Sequence, residues 1–185
     1  MLFENKTILY VLKFIGIFLL LYYGTKALIG LAVPGGLYSS FIHNYVDIAG
    51  WLRSSLLHAS GFVLLLLGYK TLIENIYTLR MIGGNSVHLV FSCLGIGVMS
   101  FWVALIAANK GSFKRKTFWI LLGVFLIWCI NILRISLLLL AVNNKWGMPF
   151  NMDNHTFFNV LAYSCIFLMI YIFDKSEKKK ALPVP

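Results

Sequence analysis

Three side chains in this sequence carry chemistry that apolar packing does not require: the thiol of Cys93, the guanidinium of Arg134 and the imidazole of His155. Each stands near the end of a different hydrophobic run. A thiol becomes a nucleophile as the thiolate, a nearby cation favours that form, and imidazole moves protons near neutral pH. Together they are the parts of a cysteine acyl-transfer site. Asn131 precedes Arg134 by three residues and shares its helical face. Asp153 and Asn154 lead directly into His155, where they either orient the ring or cap the helix that follows. Gly95 and Gly97 follow Cys93 and would let a backbone or a substrate approach closely.

Arg134 is the strongest single signal. A guanidinium within a membrane span is costly unless paired, solvated or able to snorkel, so it is functional by default; the alternative is an arginine snorkelling to the outer headgroups. Cys129 and Cys165 read as small buried hydrophobes. His88, five residues before Cys93, competes with His155 for the base role, whereas His43 and His58 read as structural. A metal site is disfavoured, because the histidines lack an HExxH-like spacing and acidic ligands are scarce. No cofactor is expected.

The elements that must position these groups lie in a bilayer. The chain has 185 residues, 60% hydrophobic and 16% aromatic, more apolar surface than a soluble domain of this length hides. Mean hydropathy is +0.85. The runs are continuous and do not alternate with a period of two, which favours helices over a barrel. The net charge of +10 is concentrated in Lys110, Lys114, Arg115 and Lys116 and in Lys175, Lys178, Lys179 and Lys180. Both clusters directly follow hydrophobic spans, as topology-setting charges do, and nucleic-acid binding is excluded on that ground. The 3 cysteines all lie in or beside apolar segments, so no disulfide framework is indicated. The first apolar run is too long for a signal peptide and lacks its cleavage pattern; it is expected to remain as a span.

The expected fold is all-α, a polytopic transmembrane helical bundle with a short extracytoplasmic β-hairpin before the Cys-bearing helix. Spans are predicted over residues 8–33, 52–69, 87–108, 118–142 and 156–173, each near the ~20 residues that cross a bilayer. The hairpin is read from β-branched and aromatic residues flanking Gly83-Gly84-Asn85, and it moves the start of the third span toward Val90, with Cys93 in the first turns. One membrane domain covers residues 1–185: N-terminal spans over 1–70, the surface hairpin over 71–92, the spans with the chemistry over 93–173, and a basic cytoplasmic tail over 174–185.

With both basic clusters cytoplasmic, the third span runs inward, the fourth outward and the fifth inward again. Cys93 then lies near the outer end of its span, His155 in the outer loop, and Arg134 about 12 Å below the outer end at the helical rise. Two spans before the hairpin would leave the N-terminus outside, against the preference of Lys6 and Lys13. A crossing hidden within residues 38–53 repairs this, so the count is five spans or six.

Phe91-Ser92-Cys93-Leu94-Gly95-Ile96-Gly97, Asn131-Ile132-Leu133-Arg134-Ile135 and the later His155 resemble, in order and placement on successive spans, the three blocks of the exosortase/archaeosortase family, and the small size is similar to its compact exosortase F branch. Many relatives carry Cys-Ser-Gly or Cys-Ala-Gly where this chain has Cys93-Leu94-Gly95, which keeps the thiol and the glycine. The resemblance implies a membrane-embedded cysteine protease or transpeptidase in the cytoplasmic (inner) membrane, with its active site facing the periplasm or exterior. Its partners would be exported proteins with a C-terminal transmembrane sorting signal, membrane lipids, and an acceptor nucleophile that is an amine, a lipid-linked group or water. By the same implication Cys93 attacks the peptide carbonyl, Arg134 stabilises the thiolate or the oxyanion, His155 protonates the leaving amine, and Asn131 positions Arg134. Two rival readings need no catalysis: a membrane assembly or export subunit whose Arg134 contacts lipid or a partner helix, and a small transporter, the latter disfavoured because only one such ionisable residue lies deep in a span.

Overall fold

Inside a bilayer no water satisfies an open backbone, so long apolar runs fold as helices. The computed structural model describes residues 2–32, 41, 46–147 and 152–181, and their side chains over 7–31, 41, 46–147 and 152–176. Its helices are α1 (Leu2–Ala32), α2 (Ile48–Leu66), α3 (Ile96–Ala108), α4 (Phe113–Asn143) and α5 (Asn154–Ala181). Four of them are long and apolar enough to cross a membrane, and α3, also apolar, has 13 residues. Between α2 and α3 lie β1 (Thr71–Asn75), β2 (Thr78–Met81), β3 (Ser86–His88) and a 3-10 turn, Phe91–Leu94. The chain is thus a multi-pass membrane protein built as a helical bundle with a small sheet.

Side chains such as Leu20, Leu66, Leu121 and Phe167 are largely exposed and face where lipid would lie. Inside, α3 is held against α4 by Trp102, which is 1% exposed and donates Nε1–H to Trp119 O at 2.9 Å. Its ring lies over Gly123, where any Cβ would collide with the indole. A second cluster joins Leu56, Leu57 and Leu64 of α2 to Ile135 and Leu139 of α4 and to Leu79 of the sheet.

The helix directions settle the parity left open by the sequence. On α1, Phe14 meets Phe101, Tyr22 lies at Gly97, and the Lys26 ammonium approaches the Phe91 ring, so α1 is antiparallel to α3. Ser55 accepts from Trp128 Nε1 at 3.1 Å, and Ser60 meets Ile132 and Ser136, so α2 is parallel to α4. Helices α1 and α2 therefore run in the same sense, and the α1 N-terminus lies at the end of the bundle that carries Lys110–Lys116. This is the parity that a sixth crossing supplies. Of the stretch expected to hide it, residues 38–53, the part from Ile48 onward opens α2, and much of the rest lies outside the described residues.

The predicted hairpin is formed by β2 and β3, with Thr78 opposite His88, Leu79 opposite Val87, and Gly83 left-handed at φ 77° in the turn. The structure adds a third strand. β1 pairs antiparallel with β2, Leu72 opposite Arg80, while Ile73 packs into the core and Thr71 lies against Gly61 of α2. Its sequence, Thr-Leu-Ile-Glu-Asn, gives too short an alternation to stand out beside the span it follows. The sheet is pinned to the end of α4: Asn143 Oδ1 accepts from Asn85 N at 2.7 Å, and Gly84 lies against the same amide.

The Cys-bearing helix begins later than expected, at Ile96 instead of near Val90, because Gly95 adopts φ 76° and separates the 3-10 turn from α3. At 1.5 Å per residue the 13 residues of α3 reach only about 20 Å. A hydrocarbon core is about 30 Å thick, so α3 alone is too short to cross it, and the turn is recessed from the end of the bundle, level with Arg134, nine residues before α4 ends at Asn143.

Candidate active site

A single 3-10 turn leaves its last carbonyls without partners, and buried carbonyls need them. Helix α4 supplies both. Arg134 Nη2 donates to Cys93 O at 2.9 Å, and Asn131 Nδ2 donates to Leu94 O at 3.4 Å. Gly95 is required here for two reasons: its φ of 76° disfavours any side chain, and a Cβ would run into the Asn131 amide. With its carbonyl fixed on α4, Cys93 turns its thiol toward α5, where Sγ lies 3.4 Å from His155 Nε2. The residue is 6% exposed.

The start of α5 sets the imidazole. Asp153 caps the helix, accepting from Thr156 N at 2.8 Å. Hydrogen bonding from Thr156 holds its carboxyl below the ordinary carboxylate range, with the charge of His155 a smaller influence. His155 lies in the first turn, and Asn159, one turn further on, shares its face. Asn159 Nδ2 meets His155 Nδ1 at 3.0 Å, and Asn159 Oδ1 accepts from Arg134 Nη1 at 2.6 Å. A closed circuit results: from the Cys93 thiol to His155, to Asn159, to Arg134 and back to the Cys93 carbonyl.

Cys93, Arg134 and His155, far apart in sequence, are thus brought together. Asn131 reaches the Leu94 carbonyl in place of Arg134. Asp153 serves as the cap, and the Asn154 side chain makes no hydrogen bond to the ring. The partner of Nδ1 is Asn159, which sequence reasoning missed, although its place four residues after His155 was a usable signal. His88 bonds the Thr78 hydroxyl at 3.0 Å across the sheet, His58 bonds the Ser54 carbonyl at 2.8 Å within its own helix, and His43 lies outside the described residues. Cys129 is half-buried and Cys165 exposed. Among the described residues no three His, Cys, Asp or Glu side chains gather as a metal site would need.

A cavity of about 20 Å³, room for one water, is lined by Asn131, Arg134 and Asn159. Its apolar walls Val98, Tyr163 and Ile166 also line a groove of about 570 Å³ between α1, α3 and α5, which Phe18, Tyr22 and Phe101 complete. An aromatic groove therefore runs beside the polar circuit, with Val98, Tyr163 and Ile166 as the shared wall. In chemical terms the arrangement joins a thiol, an imidazole in contact with it, and a fixed cation one hydrogen bond away.

The family model described as transmembrane exosortase matches residues 4–172. Archaeosortase A of Natronomonas pharaonis is similar, 40% identical over 63 residues, which are 34% of this chain and 20% of that protein. The chain thus aligns with about a fifth of the length of that curated relative. No solved structure matches.

Proposed function

Because the chain belongs to the transmembrane exosortase family, we propose that it is a membrane-embedded cysteine transpeptidase or protease that cleaves C-terminal sorting signals of exported proteins. The observation that carries this reading is the contact of 3.4 Å between Cys93 Sγ and His155 Nε2. Thiol and imidazole in hydrogen-bond reach, with a third group orienting the ring, are the working parts of nucleophilic acyl transfer.

In the proposed reaction the Sγ–H proton passes to Nε2, and the sulfur attacks the carbonyl carbon of the scissile peptide. Arg134, already at the Cys93 carbonyl, is the cation available to the developing oxyanion, in a site where low dielectric strengthens the interaction. As the C–N bond breaks, the imidazolium returns its proton to the leaving amine, and an acyl-thioester remains on Cys93. An amine, a lipid-linked acceptor or water then attacks the thioester and regenerates the thiol.

The recess of the turn suits a substrate cut beside its own transmembrane helix, since such a bond lies close to the membrane surface. We place the site on the outer side of the cytoplasmic membrane, because it lies at the opposite end of the bundle from Lys110–Lys116. The test is to compare membrane proteomes of cells carrying the wild-type chain or Cys93→Ala at matched levels. Exported proteins that keep their C-terminal helix only with Cys93→Ala are the expected result. Unchanged C-termini would return the chain to a non-catalytic membrane role.

A further inference from the structure

Asn159 joins the two charge-handling groups of the site, and the direction of its hydrogen bonds has a chemical consequence. A guanidinium can only donate, so the Asn159 atom at 2.6 Å from Arg134 Nη1 must be the carbonyl oxygen. The NH₂ group is then the one that meets His155 Nδ1 at 3.0 Å, and it can only donate. Nδ1 must accept and carries no hydrogen. A neutral imidazole with a bare Nδ1 has its hydrogen on Nε2, the nitrogen that faces the Cys93 thiol. In this state the ring donates toward sulfur and has no lone pair there to take the thiol proton.

We propose that Asn159 is a positioning residue that latches the resting site: while Arg134 holds its carbonyl, His155 is kept in the tautomer that cannot act as base. When the scissile carbonyl oxygen of a bound substrate accepts from Arg134 and draws it away, the amide is free to turn over. Its oxygen then accepts from Nδ1–H, the tautomer with a bare Nε2 becomes the favoured one, and the Sγ–H proton can move to Nε2. The His155 side chain is exposed, so exchange with water moves the ring proton from Nε2 to Nδ1 without another protein group. Among the described residues, the charged and titratable groups linked to the ring are Cys93 from the 3-10 turn, Arg134 from α4 through Asn159, and Asp153 from its own segment. The latch ties activation of the nucleophile to occupancy of the site. It rests on the reading of Cys93 as the nucleophile, but the tautomer does not.

The decisive variant is Asn159→Asp. A carboxylate accepts from both sides, so it keeps the Arg134 partner that a structural role would require while inviting a hydrogen onto Nδ1. The experiment uses the full chain in micelles, with Cys129 and Cys165 replaced by alanine. Ring tautomers are read by ¹⁵N NMR of histidine-labelled protein, with two-bond ring correlations separating Nδ1 from Nε2. Thiolate is read by the rate of alkylation with iodoacetamide at neutral pH.

For the wild-type residue the expected state of His155 is neutral with the hydrogen on Nε2. For Asn159→Asp a hydrogen on Nδ1 is expected, with alkylation of Cys93 roughly three- to tenfold faster, the gain in thiolate being partly offset by its lower nucleophilicity. A structural role alone predicts an unchanged or slower rate. A wild-type ring that already carries its hydrogen on Nδ1 overturns the proposal without any variant, and so does an Asn159→Asp thiol that reacts no faster. Neither readout needs a sorting signal. Failure of the latch therefore leaves the proteome comparison intact, and failure of that comparison leaves the tautomer measurement intact.

Discussion

Gly95→Ala tests whether the turn carrying Cys93 is set by backbone geometry. Two penalties arise at this position. A side chain in the left-handed region, where Gly95 has φ 76°, costs about 1–2 kcal/mol. The new methyl would also occupy the place of the Asn131 amide, which donates to Leu94 O. Displacing that amide loses a net hydrogen bond of about 1 kcal/mol and leaves a buried carbonyl unpaired. The expected destabilisation is about 3 kcal/mol. Gly97→Ala is the internal control. It lies within α3, its added Cβ would meet the Tyr22 ring at an ordinary 3.5 Å, and alanine favours the helix by up to about 1 kcal/mol. It should be neutral or slightly stabilising.

The assay is reversible unfolding in mixed micelles titrated with denaturing detergent, followed by tryptophan fluorescence. Asn131→Ala completes a double-mutant cycle. With the amide gone, Gly95→Ala should cost only its backbone penalty, so the pair should couple by about 1–2 kcal/mol. Two results would refute the reasoning. One is a Gly95→Ala loss equal to that of Gly97→Ala. The other is additivity of Gly95→Ala and Asn131→Ala within about 0.5 kcal/mol, the range usual for independent sites.

Arg134→Lys should be nearly as damaging as Arg134→Gln, because one ammonium does not reproduce the planar fork that bonds Cys93 O and Asn159 Oδ1 together. Processing of exported C-termini reads the effect, and a Lys variant of wild-type activity would contradict it. Gly123→Leu should separate α3 from α4 by driving a side chain into the Trp102 indole, seen as a lower unfolding midpoint and a changed tryptophan spectrum. Asp153 contributes a pH dependence of known sign. Its folded carboxyl titrates below the unfolded value of about 3.9, so the cap's contribution is complete above that value and is lost as pH falls through the folded one. Hydrogen exchange at the α5 N-terminus should rise on acidification in that window, and Asp153→Asn should abolish the acid step.

The legible part of this protein was the part governed by composition and period. Apolar runs gave the helices, Gly83-Gly84-Asn85 gave a hairpin, and basic loops placed Cys93, Arg134 and His155 at one end of the bundle, where the structure has them within a single hydrogen-bonded circuit. The same charge argument left the early spans in conflict, since it counts crossings and does not see which helices pack side by side. That information came from α1 against α3 and α2 against α4. The start of α3 was misplaced because hydropathy does not register the left-handed Gly95, although that residue is what makes the helix short and the thiol recessed.

Asn159 was missed for a different reason. With His155 read as the last residue of a loop, its orienting partner was sought among the residues before it, Asp153 and Asn154. Once α5 begins at Asn154, His155 lies in the first turn, and the residue beneath its ring is the one four positions later. The distinction matters chemically. A carboxylate at Nδ1 would require a hydrogen there and make His155 a ready base, as in sites where the third member is acidic. An amide whose oxygen is taken by Arg134 requires the opposite, a hydrogen on Nε2. For a thiol as buried as that of Cys93, staying protonated until the cation is engaged avoids an unpaired buried charge. The same pairing that holds the turn in place thereby decides when the thiol can react.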